Sequence, residues 1–107
     1  MNWSYLSIEL LNNNNVINTG IITEEGIVNL PSQQEIQDNL EYLFANLENP
    51  GLKPGYPPLP AWDKVNMILK NSNDEVVKQL NFTLQDFISS NLSISSYLKL
   101  QYDNLIS

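Results

Sequence analysis

Residues 3–23 read Trp3-Ser4-Tyr5-Leu6-Ser7-Ile8-Glu9-Leu10-Leu11-Asn12-Asn13-Asn14-Asn15-Val16-Ile17-Asn18-Thr19-Gly20-Ile21-Ile22-Thr23, and this stretch decides the fold class. Leu6, Ile8 and Leu10 fall on one side; Tyr5, Ser7 and Glu9 fall on the other. That period of two predicts a half-buried strand. Asn12 to Asn15 predict a turn, because asparagine tolerates left-handed backbone angles. Val16 to Thr23 is β-branched and reads as the returning strand. Glu24-Glu25-Gly26 reads as a second turn, and Ile27 to Leu30 as a third short strand, giving an antiparallel hairpin or meander over 1–30.

Working outward, Ser32-Gln33-Gln34-Glu35 has the spacing of a capping box, with Pro31 stopping the chain ahead of it. Ile36, Leu40, Leu43, Phe44 and Leu47 then build one apolar face, and Asn49-Pro50-Gly51 ends a helix over 32–48. Residues 50–60, PGLKPGYPPLP, hold five of the six prolines and predict an extended strap. Residues 61–107 read as mainly helical. A first helix has Trp62, Val65, Ile68 and Leu69 inward, and a second is opened by Ser72 and Glu75 and carries Val76, Val77 and Leu80. Thr83 and Asp86 mark a further start, with Phe82 and Phe87 as a hydrophobic staple. Residues 93–106 fit a helix through Ile94, Leu98 and Leu105, or a strand through Leu98, Leu100 and Tyr102; the helix is preferred. The expectation is one α+β domain over 1–107: an N-terminal antiparallel β-hairpin or meander, a proline-rich strap, and three to four short helices.

The chain lacks histidine, cysteine and arginine. The neutral-pH proton shuttle, the thiolate nucleophile and the bidentate guanidinium are therefore missing. A Ser–His arrangement is impossible, and no Gly-rich phosphate loop occurs. Asn71, Asn73 and Glu75 resemble the start of a calcium loop, but Val76 stands where that loop needs glycine and Phe82 where it needs glutamate. The expectation is a non-enzymatic protein with no cofactor and no metal. Twelve acids against five lysines give a net charge of −7, which disfavours nucleic acid and anionic membrane surfaces. No apolar run approaches the ~20 residues a bilayer requires, and the N-terminus MNWSYLSIELL lacks a basic leader region. The triplets at Asn2, Asn81 and Asn91 match glycosylation sites by chance in a chain with 16 asparagines. The expected location is the host cytoplasm or a virion.

Two segments carry candidate partner contacts. Glu35, Asp38 and Glu41 share one side of the 32–48 helix: a solvated face, a hold for a hard cation, or a surface for a basic partner. Pro54, Pro57 and Pro60 repeat a PxxP spacing with Tyr56 inside it and Trp62 just beyond. Such a segment suits an aromatic-lined groove, or packs its own rings as a strap. Tyr56, Pro57, Pro60, Trp62, Asp38 and Glu41 are thus the candidate partner-binding residues. Asparagine and isoleucine are abundant while alanine is rare, which points to an A/T-rich genome. The run Leu30-Pro31-Ser32-Gln33-Gln34-Glu35-Ile36, opening a helix and followed by a proline-rich break, resembles small proteins encoded in phage and prophage tail regions, over residues 30–60. That resemblance implies a phage structural or assembly component bound to itself or to virion proteins; it transfers no functional residue. The alternative is a small acidic inhibitor, an immunity or anti-defence protein, that blocks a basic site on a host protein.

Overall fold

The computed structural model describes residues 2–49 and 61–107. The strap over 50–60, with Tyr56, Pro57 and Pro60, lies outside the described residues. The fold is α+β. Strands β1 (Tyr5–Asn12) and β2 (Asn15–Thr23) form a hairpin. Helices α1 (Glu24–Val28) and α2 (Gln33–Glu48) follow. A second hairpin, β3 (Lys64–Lys70) and β4 (Val76–Thr83), leads into α3 (Leu84–Ser90) and α4 (Ile94–Ile106). The strands make one antiparallel sheet in the order β2-β1-β3-β4.

The first hairpin forms as its sequence predicts. Asn13 and Asn14 take φ of 49° and 67°, so both central residues of the tight turn are left-handed and Asn12 faces Asn15. Two such residues make the primed turn whose twist matches that of the strands it joins. Leu6, Ile8 and Leu10 of β1 and Val65, Met67 and Leu69 of β3 are buried, and all join one core cluster with Leu40, Phe44, Leu98 and Leu105 from the long helices. The intervening residues Tyr5, Ser7, Glu9 and Lys64, Asn66, Ile68, Lys70 stand outside that cluster, on the opposite face of the sheet. Gly20 lies opposite Ile8. A Cβ there would come within 2.9 Å of Leu43 Cδ1 and Leu47 Cδ2, so a bare backbone lets α2 settle closely on β2.

Three local expectations are corrected. Glu24-Glu25-Gly26 and the residues after it are not a turn and a strand. Thr23 Oγ1 accepts from Gly26 N–H at 3.0 Å and caps α1, whose Ile27 is buried. Residues 61–70 are not a helix. Val65, Met67 and Leu69 alternate inward and Ile68 points to the other face, so the true period was two, not 3.6. Ser72-x-x-Glu75 opens no helix either. Asn71 Oδ1 accepts from Asn73 N–H at 2.9 Å and Glu75 N–H at 3.0 Å, and Asp74 takes φ 61°, which closes the β3–β4 turn. The segment 61–107 is therefore a hairpin followed by helices. Thr83 and Asp86 do form a full capping box, and 94–106 is helical.

Candidate protein-binding surface

Helix α2 is positioned by its cap and its apolar stripe. Ser32 Oγ accepts from Glu35 N–H at 3.2 Å, while Ile36, Leu40, Phe44 and Leu47 bury the inner face. The outer face then follows from the helical period. Glu35, Asp38, Glu41, Tyr42 and Ala45 are exposed. Tyr42 is the most open large side chain among them, at 71%. Two shallow depressions meet at this ring: one is lined by Asp38, Glu41, Tyr42 and Ala45, the other by Leu30, Glu35, Asp38, Asn39 and Tyr42. The arrangement is an aromatic ring among three carboxylates.

No described lysine balances these charges. Lys99 Nζ pairs with Asp103 at 2.7 Å. Lys78 Nζ donates to the carbonyls of Asn104 and Ser107 at the end of α4. Lys64 and Lys70 sit on the opposite face of the sheet. Asp38 accepts from Gln34 Nε2 at 2.8 Å, an uncharged partner on its own helix. Such a face can attract a basic surface and give its ring a packing contact at the centre.

The other candidates fall elsewhere. Trp62 is 8% exposed, inside the core. Its ring meets Phe44 and Phe82 edge to face, with centroids at 5.6 and 6.2 Å, and its Nε1 donates to Glu48 Oε2 at 2.9 Å. A cleft of about 390 Å³ lies beside it between Leu10, Ile17, Leu47, Leu84 and Phe87. Its carboxylate, Glu48, is engaged by the indole, so among the described residues the walls offer apolar packing and no acid–base pair. The structure thus brings Asp38 and Glu41 together and sets Trp62 apart from them. Tyr42 was missed in the sequence, although an aromatic four residues beyond Asp38 and next to Glu41 was the available signal.

The perturbed side chains are tyrosines. The Tyr5 hydroxyl donates to Asp74 Oδ1 at 2.7 Å, and that bond raises its pKa. Burial, with Asp86 nearby, raises Tyr97; burial, with Asp103 and Glu24 nearby, raises Tyr102. All three are held more firmly in the neutral form, as structural hydroxyls rather than bases. Among the described residues no helix is long and apolar enough to cross a membrane.

No protein-family model, curated protein or solved structure matches this chain.

Proposed function

We propose that this protein is a non-enzymatic protein-binding module that docks the outer face of α2 onto a basic surface of another protein. The observation that carries this reading is Tyr42, 71% exposed and ringed by Glu35, Asp38 and Glu41 with no balancing lysine among the described residues. Exposed tyrosine supplies a large contact area at low conformational cost, and uncompensated carboxylates steer a cationic partner during approach. This surface favours a small acidic inhibitor of a basic host protein. The phage structural or assembly role is supported by the skewed residue usage and the resemblance over 30–60, and by no surface feature comparable to α2.

The test is a capture experiment from the native source with the tagged protein and its D38K/E41K variant. A single basic protein should bind the parent, detach as salt rises, and fail to bind the variant. Equal recovery by both chains would remove α2 as the docking face. Recovery of virion proteins would instead support the assembly role.

A further inference from the structure

We infer that the chain is a tandem pair of one ββαα unit, residues 2–49 and 61–107, docked on each other as the two copies of a closed twofold dimer would be. The interaction surface of each unit fits a second copy of the same unit, and here that copy is in the same chain.

The correspondence is one of register and of individual bonds. Laid on one another, with one extra residue in the second hairpin and one more before Ser93, Trp3 falls on Trp62, Leu6 on Val65, Ile8 on Met67, Leu10 on Leu69, Thr23 on Thr83 and Ser32 on Ser93. The β1–β3 ladder has the symmetry this requires. Leu6 faces Leu69 and Leu10 faces Val65, two pairings that a twofold axis exchanges, while Ile8 faces Met67 on the axis itself. Both hairpins carry a bulge at the same place, beside Leu10 in one and Leu69 in the other. Ser4 N–H donates to Lys70 O at 2.7 Å, and Asp63 N–H donates to Leu11 O at 2.8 Å. Glu24 N–H donates to Ser4 O, and Leu84 N–H to Asp63 O, both at 2.8 Å. Each of these is the other's symmetry mate. Thr23 caps α1 through Gly26 N–H as Thr83 caps α3 through Asp86 N–H; Ser32 caps α2 through Glu35 N–H as Ser93 caps α4 through Ser96 N–H.

The contacts between the units are reciprocal, as an isologous interface demands. Trp62 of the second unit lines a cleft with Leu10, Ile17 and Leu47 of the first. Trp3 of the first unit lines a cavity of about 210 Å³ with Leu69, Val77 and Leu105 of the second. In each unit the residue just past the bulge ties down the end of its own long helix: Asn18 Nδ2 reaches Leu47 O, and Lys78 Nζ reaches Ser107 O, both at 3.0 Å. A chance resemblance of two hairpins would not reproduce the register, the bulge, four caps and both tryptophan seats together.

If the units are equivalent, their order in the chain is arbitrary. Asn2 and Ser107 line the same cavity, so a short Gly/Ser linker can join Ser107 to Asn2. The test is a circular permutant opened within residues 50–60, so that residues 61–107 precede 2–49. Its control carries the same new linker and is opened between Asn13 and Asn14, inside a unit. The unit-exchanged chain should be a monomer with the parent's circular dichroism and a urea midpoint within about 0.5 M of it. The control should unfold at clearly lower urea. A unit-exchanged chain that does not fold, or that melts below the turn-opened control, would overturn the inference.

Discussion

Trp62 combines a large apolar body with one polar handle, and both are used. Two phenylalanine edges and the inner strands take the ring, and Glu48 takes the indole N–H. Removing so large a buried side chain leaves a cavity that the neighbours close only in part. We expect Trp62→Ala to cost about 3–5 kcal/mol in urea unfolding, with binding through α2 lost only in proportion to the unfolded fraction. A cost near the ±0.5 kcal/mol of ordinary surface changes would contradict the burial described for this side chain. Burial of Trp62 was readable from its place before an apolar run. Its bond to Glu48 was not, because the two residues are separated by the proline-rich segment.

At the level of elements, the first hairpin and α2 were legible because each carries one clear period and its own start or stop signal. Asparagines stand where φ must be positive, and Ser32 stands where α2 needs an acceptor. The second hairpin was misread because Val65, Ile68 and Leu69 suit a helical spacing as well as Val65, Met67 and Leu69 suit a strand. Ser72 and Glu75 then supplied a false helix start, where Asn71 was in fact closing a turn. Comparing residues 3–36 with 62–97 would have shown the Trp3-x2-Leu6-x-Ile8-x-Leu10 spacing repeated as Trp62-x2-Val65-x-Met67-x-Leu69 and placed the strands. The threonine that ends each hairpin joins sheet to helix. Thr83 both accepts from Asp86 N–H and has its own N–H held by Asp86 Oδ2, at 3.0 and 2.9 Å. Thr83→Ala should cost about 1 kcal/mol of stability, while Gln85→Ala on the exposed side of α3 should stay within about 0.5 kcal/mol. Comparable urea midpoints for the two variants would mean that the cap contributes nothing.

For the molecule as a whole, the two halves agree in strand register and helix caps and differ along their long helices. With Ser32 set on Ser93, the positions of Glu35, Asp38 and Glu41 hold Ser96, Lys99 and Tyr102. The acidic face belongs to one half alone, so the proposed docking is one-sided and one partner per chain is the expected stoichiometry. Which acids matter was half visible in the sequence, through the shared helix face of Asp38 and Glu41. The absence of nearby lysines among the described residues was not, because it depends on which face of the sheet Lys64 and Lys70 occupy. Stability of the whole should also respond to alkali. Tyr97 and Tyr102 have pKa values raised above the ordinary 10.0, chiefly by burial. The folded state therefore holds their protons after the unfolded chain has released them. Their contribution is complete below pH 10.0 and is lost as pH rises through the folded values. Urea midpoints should be level approaching that pH and fall above it, and Tyr102→Phe should make the fall shallower. An unchanged slope in that variant would show that other groups drive the alkaline loss.

The reciprocal seating of the tryptophans also orders events during synthesis. The pocket for Trp3 is walled by Leu69, Val77, Leu105 and Ile106, all translated long after it. The first hairpin can close early on its own turn, but the second edge of β1 has no partner until β3 arrives. Its tryptophan stays uncovered until α4 has been made. A nascent chain paused between the two halves would therefore hold out one open edge of β1 and an open indole, the surface most inclined to pair with the wrong neighbour.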